Sequence, residues 1–129
     1  IMRMGSVGFL VAERAGDLIG VLGWQAENLV VRITDLLIQP AHEREAASQA
    51  LLSEMEQAAK ELQCEAALLL LPRPILPEWV DFYEPFGYES RVIASLPNAW
   101  QEAAREARLE DGRTVVIKEL SSRPAVIPL

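Results

Sequence analysis

Hydrophobic and polar positions along the first 40 residues predict three consecutive strands. Residues 7–13 and 18–25 are rich in apolar side chains, and the turn residues 15–17 between them predict a hairpin. A third apolar segment, residues 30–38, follows a second turn and stops before Pro40, which cannot donate to a strand ladder. The first third of the chain is therefore expected to form an antiparallel meander.

Beyond Pro40 the apolar spacing changes to three and four residues, which predicts a long helix over residues 41–63. The expected apolar stripe consists of Ala46, Ala47, Ala50, Leu51, Met55, Ala58 and Leu62. The next apolar run, residues 66–71, has no polar alternation and predicts a strand buried on both faces. A strand, a helix and a buried strand together predict a right-handed βαβ unit with parallel strands.

The last third of the chain predicts two more helices and a closing pair of strands. A short helix is expected over residues 77–84 and a longer one over residues 98–111, with Asn98 as its N-cap. Strands are expected on either side of the longer helix. The predicted fold class is therefore mixed α/β, in one domain over residues 1–120, with an extended tail at 121–129.

Composition excludes several classes of function. The chain has 129 residues and a net charge of −7. The sequence has no basic stripe, so nucleic-acid binding is not expected. The longest aliphatic run, residues 66–71, is too short to span a bilayer, so no membrane partner is expected. The single cysteine, Cys64, is expected to be a buried core residue. A lone cysteine and no export signal predict a cytoplasmic location.

Metal binding is not expected, because the chain offers no Cys/His spacing typical of a zinc site. The only histidine, His42, is expected to be an exposed residue of the first helical turn. The sequence begins at Ile1 rather than methionine, from which we expect that the chain has been trimmed.

Two segments carry the spacing of a known family. Residues 38–40 read Ile-Gln-Pro at the end of a predicted strand, and the pair Leu51-Leu52 follows at the family's distance. Further on, Phe82-Tyr83 precedes Gly87-Tyr88 with three residues between the pairs. In this order the two motifs resemble the GNAT superfamily of acyl-CoA-dependent N-acetyltransferases, over nearly the whole chain.

The resemblance implies acetyl-CoA as acyl donor and assigns it a binding segment. It implies backbone polarisation of the thioester by Leu37 and Ile38, and a pyrophosphate loop at the start of the long helix. The predicted loop residues are Arg44, Ala46, Ala47 and Ser48. Alanine and serine replace the family's glycines there, and both are small enough to leave room for a phosphate.

Charge at this loop leaves two interpretations open. Glu43 stands where the family has a side-chain donor, and Glu45 follows two residues later. Carboxylates near a pyrophosphate would repel it, at a cost of about 1 kcal/mol at 4 Å in water. Alternatively, acidic residues in a first helical turn simply stabilise the helix dipole, and this interpretation is favoured.

The resemblance also implies catalytic roles for three residues. Tyr83 aligns with the family's general acid, which would protonate the departing thiolate. Packing of Tyr83 against the sheet is the equally weighted alternative. Asp35 and Glu27 are candidate bases for the acceptor amine, and solvated or ion-paired acids are the favoured alternative for both.

The predicted function is acetyl transfer to a primary amine of a small molecule or peptide by direct attack. The rival is a catalytically silent GNAT-like module for dimerisation or ligand binding, and an unrelated α/β domain is the third interpretation. Two departures from the family matter. The usual first strand and two helices are expected to be missing or supplied otherwise, and the predicted helix at 98–111 is extra. It would cover the acceptor site or pair two subunits, so a homodimer is one expectation.

Overall fold

The computed structural model describes residues 6–27, 29–71, 75–106 and 114–120. Within these ranges the chain forms six strands of one sheet and three α-helices. In chain order they are β1 (Ser6–Arg14), β2 (Asp17–Glu27), β3 (Val30–Ile38), α1 (Arg44–Glu61), β4 (Ala66–Leu69), α2 (Pro77–Tyr83), β5 (Glu89–Val92), α3 (Asn98–Glu106) and β6 (Thr114–Glu119). None of the helices in these ranges is both long and apolar enough to cross a membrane.

The strands are ordered β1-β2-β3-β4-β6-β5 across the sheet. The first three are antiparallel neighbours, and β3 and β4 run parallel because α1 carries the chain back between them. The last strand in sequence, β6, lies between β4 and β5 and is antiparallel to both. The predicted fold class, a meander followed by a parallel βαβ unit and a closing strand pair, is confirmed.

Two hydrophobic clusters fill the two faces of this sheet. On one face α1 packs through Leu52 and Met55 onto Leu22 of β2 and Val116 of β6, and α2 borders the same cluster. On the other face α3 packs through Trp100 onto β3, β4 and β6. Since α3 lies over the β3–β4–β6 half of that face, the β1–β2 half is left without a helix in the described part of the chain.

The predicted stripe of the long helix is partly wrong. Ala46 and Ala50 are exposed and Leu62 lies beyond the helix, 45% exposed, whereas Ser48 and Glu56 are buried. Apolar spacing alone missed these two polar side chains, because Glu56 is buried with polar partners and Ser48 faces a cleft. The burial of Cys64 is confirmed, and that burial raises the pKa of its thiol.

Several predicted boundaries need correction or fall outside the described residues. The predicted strand after Gly87 ends at Val92, where a 3-10 turn over Ile93–Ser95 begins and Ser95 Oγ donates to the Val92 carbonyl at 2.6 Å. The long helix starts as a 3-10 turn, Ala41–Glu43. Residues 1–5, the end of the predicted helix at 107–111 and the tail at 121–129 lie outside the described residues.

A buried polar network joins α1 to the segment that follows α2. Tyr88 Oη donates to one oxygen of the Glu56 carboxylate at 2.9 Å, and Lys118 Nζ donates to the other at 2.7 Å. Lys118 Nζ also donates to the carbonyl of Phe86 at 2.9 Å. Gly87 has a φ of 97°, and a Cβ there would lie 2.9 Å from Lys118 Cε. The Gly87-Tyr88 motif is therefore a structural anchor for the C-terminal end of α2.

This network predicts a loss of stability in alkaline solution. Burial, and then the adjacent Glu56 carboxylate, hold the pKa of Tyr88 well above its usual value near 10. The unfolded chain loses this proton as pH rises past about 10 while the folded chain keeps it. The free energy of unfolding should therefore fall above that pH, by up to about 1.4 kcal/mol per pH unit.

Urea unfolding between pH 9 and 11.5 would measure this slope. The Tyr88→Phe variant has no proton to lose at this position, so its slope should be shallower than that of the parent chain. Equal slopes in the two proteins would contradict the prediction.

Candidate functional site

The site begins at a β-bulge in β3. Gly23 of β2 is paired with Asp35, but its neighbour Trp24 is paired with Ile33, so Thr34 has no partner in the β2–β3 register. The extra residue reverses which side chains face α1 from this point on. Ile33 and Leu36 therefore both face α1, although they are three residues apart. Bulges bend and twist a strand and are frequent beside functional sites.

Beyond the bulge, β3 parts from β4. Their pairing ends at Ile33 and Leu69, whereas β3 continues to Ile38. The N–H of Gln39 donates to the carbonyl of Ile19 in β2 at 2.9 Å. Alternate residues of an antiparallel strand face the same neighbour, so the N–H groups of Leu36 and Ile38 point to the open side. The N–H of Leu37, one of the two predicted donors, points to β2 instead. The splayed strands thus leave a slot lined by backbone donors.

A cleft of about 420 Å³ occupies this gap. Its walls come from the end of β3, the start of α1, the second residue after β4 and one side of α2. The lining residues are Leu36, Leu37, Ile38, Arg44, Ser48, Leu71, Glu78, Trp79, Phe82 and Tyr83. The topology therefore brings together four of the predicted cofactor residues (Leu37, Ile38, Arg44 and Ser48) and the predicted acid, Tyr83.

The α1 end of the cleft is suited to an anion. Arg44 is exposed and lines the cleft at the first turn of α1, where the helix dipole favours negative charge. Ser48, one turn further, is 1% exposed, and its Oγ has no hydrogen-bond partner among the described residues. A buried hydroxyl without a partner costs about 1–3 kcal/mol, so this atom is ready to donate to a ligand.

The two glutamates of the loop do not oppose an anion as their positions suggested. The Glu43 carboxylate is buried and forms an ion pair with Arg14 of β1. Its charge is therefore turned toward the sheet and neutralised there. Glu45 is exposed and does not line the cleft. Glu78 of α2 does line it, as does Arg44.

Tyr83 lies at the other wall of the cleft, at the last turn of α2. The ring of Phe82 packs edge-on against it, with the centroids 5.0 Å apart. Burial raises the pKa of the Tyr83 phenol, and the nearby Arg44 guanidinium offsets only part of this rise. The phenol is therefore protonated at neutral pH and can donate a proton into the cleft.

The two candidate bases lie in different places. Asp35 follows the bulge on the face opposite α1, and its carboxylate accepts a hydrogen bond from Thr34 Oγ1 at 3.1 Å. Glu27 ends β2 and approaches Arg32 at 3.9 Å. Leu22 pairs with Leu36 of the cleft wall, and Glu27 lies five residues further along β2, roughly 17 Å away at 3.3 Å per residue. Asp35 adjoins Leu36 but does not itself line the cleft.

Sequence reasoning missed part of the lining. Leu36, Leu71 and Glu78 were not proposed, whereas Ala46 is exposed and Ala47 is buried without lining the cleft. The sequence did contain a pattern that points to Leu36. Apolar residues at positions 31 and 33 are followed by apolar residues at 36 and 38, which indicates that the side of the strand facing α1 changes from odd to even positions. Within residues 6–27, 29–71, 75–106 and 114–120, no group of three His, Cys, Asp or Glu residues could hold a metal ion.

Comparison with protein families identifies the chain. Residues 5–90 match the model of the family described as "Acetyltransferase (GNAT) domain". The match covers the whole meander, α1, β4 and α2, and these elements build the cleft. The chain belongs to the GNAT acetyltransferase family, and the family predicted from the two motifs is confirmed.

Solved structures share the fold at low identity. PaiA N-acetyltransferase from Thermoplasma acidophilum, in complex with coenzyme A, superimposes with a TM-score of 0.64 at 17% identity, covering 88% of this chain and 60% of that one. Ribosomal-protein-S18-alanine N-acetyltransferase from Escherichia coli gives a TM-score of 0.64 at 13% identity, over 95% and 75% of the two chains.

N-acetylglutamate synthase from Neisseria gonorrhoeae, complexed with coenzyme A and N-acetyl-glutamate, gives a TM-score of 0.61 at 18% identity. That match covers 88% of this chain and 26% of the synthase. The chain thus spans less than two thirds of two of these proteins, 60% of the PaiA enzyme and 26% of the synthase. No curated protein matches the sequence. At these identities the structural likeness establishes the fold.

Proposed function

We propose that the chain binds acetyl-CoA in the cleft between the splayed strands and transfers its acetyl group to a primary amine by direct attack. The observation that carries the proposal is the buried hydroxyl of Ser48, which lacks a partner beside Arg44 in the cleft. A diphosphate accepts hydrogen bonds and carries negative charge, so it suits both groups.

The pyrophosphate would lie at the start of α1. Arg44 offers a guanidinium, and Ser48 Oγ offers a hydrogen-bond donor. The ion pair between Glu43 and Arg14 removes the main repulsion that the sequence raised.

When bound, acetyl-CoA supplies a thioester whose carbonyl carbon accepts the amine nitrogen as the C–S bond breaks. The N–H groups of Leu36 and Ile38 are placed to donate to the carbonyl oxygen. Tyr83 holds the proton that the departing sulfur takes, and Asp35 removes a proton from the amine. Glu27 has no role in this scheme, because its end of β2 lies far from the cleft.

Thermal unfolding tests acetyl-CoA binding directly. Ligand at 100 times its Kd should stabilise the chain by about 2.7 kcal/mol, which raises the melting temperature by several degrees. An acetylated pantetheine, which has the same thioester arm and no pyrophosphate, is the matched control and should give a smaller rise. An unchanged melting temperature at millimolar acetyl-CoA would overturn the proposal and favour the silent GNAT-like module.

The Ser48→Ala variant should separate ligand binding from stability, because the two effects have opposite signs. Removing a buried hydroxyl without a partner should raise the stability of the free protein, by about 1 kcal/mol. The same change should weaken acetyl-CoA binding roughly tenfold, since one donor to the pyrophosphate is lost. Chemical denaturation and calorimetric titration measure the two quantities. Lower stability of the free variant would contradict the assignment.

The silent-module alternative also includes dimerisation. Light scattering of the purified chain would test the homodimer, which stays a prediction. A dimer that bound no acetyl-CoA would favour this alternative.

A further inference from the structure

An ion pair joins the first strand of the sheet to the start of α1. Arg14 is the last residue of β1, and its Nε donates to the carboxylate of Glu43, which lies 29 residues further along the chain. Leu10 and Ala12 pack against the cluster under α1, and Arg14 continues their side of the strand. The Arg14 side chain is 61% exposed and the Glu43 side chain 11% exposed. Arg14 therefore brings a positive charge to a carboxylate that has little contact with water.

Its position on the helix puts Glu43 close to the anion end of the cleft. Glu43 lies in the same helical row as Ala47 and Leu51, which follow at intervals of four residues and are both buried. Arg44 and Ser48, in the neighbouring row, line the cleft. Side chains of neighbouring rows lie within the width of one helix, about 10 Å. Charges at that distance still interact, because the Debye length at 0.1 M salt is also about 10 Å.

An unpaired carboxylate at Glu43 would act against a bound anion in two ways. It would repel the pyrophosphate directly, and it would compete for the guanidinium of Arg44, the next residue in the chain. None of the ion pairs printed in the structure between described residues involves Arg44. The pairing with Arg14 turns the Glu43 carboxylate toward β1 and thus leaves Arg44 available to a ligand.

We propose that Arg14 is a positioning residue for the pyrophosphate of the acyl donor. It holds the Glu43 carboxylate at β1, so that Arg44 and the Ser48 hydroxyl meet the phosphates without a competing negative charge. The inference rests on the proposed function and adds to the donor site a residue that does not line the cleft. The end of β1, beside the turn of the β1–β2 hairpin, thereby sets the charge at the start of α1.

Two probes separate this role from a general effect on the fold. Inorganic pyrophosphate carries the charge without the thioester arm, and acetylpantetheine carries the arm without the charge. Both would be titrated into ¹⁵N-labelled protein with the Ser48 amide as reporter. Arg14→Gln should weaken pyrophosphate binding at least about tenfold and leave acetylpantetheine binding unchanged, because only the charged probe is repelled by Glu43. Unchanged pyrophosphate binding, or an equal loss with both probes, would overturn the inference.

Conservative and second-site variants test whether Arg14 acts through Glu43. Arg14→Lys keeps the charge and should retain most of the pyrophosphate affinity. Glu43→Gln should bind pyrophosphate at least as tightly as the parent chain, and in that background Arg14→Gln should change the affinity by less than about twofold. A further tenfold loss in that background would mean that Arg14 contacts the anion itself, and the positioning role would be wrong.

Arg91→Gln is the matched control for net charge. Arg91 lies 3.9 Å from Glu89 in a surface ion pair on β5, at the opposite edge of the sheet from β1. The variant removes the same charge far from the start of α1, so pyrophosphate affinity should not change. A loss equal to that of Arg14→Gln would assign the effect to net charge and overturn the inference.

Acetyl-CoA then separates the two proposals. If the chain acetylates amines, Arg14→Gln should raise KM for acetyl-CoA about tenfold and leave kcat largely unchanged. Acetyl-CoA binding that does not depend on Arg14 would refute this inference and leave the proposed function standing. Pyrophosphate binding that depends on Arg14, without any acetyl-CoA binding, would refute the proposed function and leave the role of Arg14 intact. A parent chain that binds neither ligand would overturn both.

Discussion

Replacing Tyr83 by phenylalanine is expected to lower kcat by about 100-fold or more and to leave acetyl-CoA affinity largely unchanged. A positioned general acid typically contributes 10²–10⁴-fold to a rate, and the variant loses only the proton that the departing sulfur takes. The ring stays in place, packed edge-on against Phe82 in the cleft wall. Steady-state kinetics with a calorimetric Kd for acetyl-CoA would measure both quantities.

The leaving group supplies the decisive control. An acetyl thioester of an acidic aryl thiol needs little help from an acid, because its thiolate is already stable. The defect of Tyr83→Phe should therefore shrink strongly with such a donor if Tyr83 is the acid. If Tyr83 only packs α2 against the sheet, the variant should be impaired to the same degree with both donors.

The pH dependence of the parent chain gives a second check on Tyr83. Burial raises the pKa of its phenol above the usual value near 10, so the proton is available throughout the neutral and mildly alkaline range. The rate should not fall between pH 7 and about 9.5, a range in which the raised pKa keeps the acid protonated. A decline centred near pH 8 that Tyr83→Phe abolished would contradict the raised pKa.

Most of the fold could be predicted from the sequence, because the patterns that mark each strand and helix lie within the element itself. The bounds of β3 were predicted to the residue, since apolar runs and Pro40 mark both ends. The family motifs then fixed the order of the elements. The bulge at Thr34 was missed, although it shapes the cleft. One extra residue reverses the facing of every side chain after it, and an apolar run does not reveal such a residue.

The cleft residues whose place depends on where a helix starts or ends could be predicted from the sequence. Contacts between residues far apart in the chain could not. Arg44, Ser48 and Tyr83 lie in the cleft because their helices start and end at residues that the motifs mark. The ion pair of Glu43 could not be predicted from the sequence, because its partner Arg14 is 29 residues away on another strand.

The same limit explains why the second motif was assigned only by resemblance. Gly87 and Tyr88 are spaced as in the family, but the physical reason lies in Glu56 and Lys118, about 30 residues away in either direction. The Glu56 carboxylate is 11% exposed and the Lys118 side chain 27% exposed. A carboxylate this buried depends on its partners, so the network should be one of the most sensitive points in the fold.

Lys118→Met is therefore expected to destabilise the chain by about 2–3 kcal/mol, which lowers the melting temperature by roughly 10 °C. Methionine keeps the length and apolar stem of lysine but leaves the Glu56 carboxylate with the Tyr88 hydroxyl as its only remaining partner in the network. The Phe86 carbonyl also loses its donor, so the turn after α2 should loosen. Urea denaturation and thermal unfolding would measure the loss.

A double-mutant cycle with Glu56→Gln distinguishes the cost of an unpaired buried charge from the cost of lost packing. Glutamine keeps the size of glutamate and still accepts a hydrogen bond from Tyr88. Lys118 is exposed enough to reach water. Glu56→Gln alone should therefore cost less stability than Lys118→Met. The double variant has no buried charge, and it should be more stable than Lys118→Met by about 1 kcal/mol or more. Additive costs would mean that the methionine acts through packing, and the anchoring role of the ion pair would have to be abandoned.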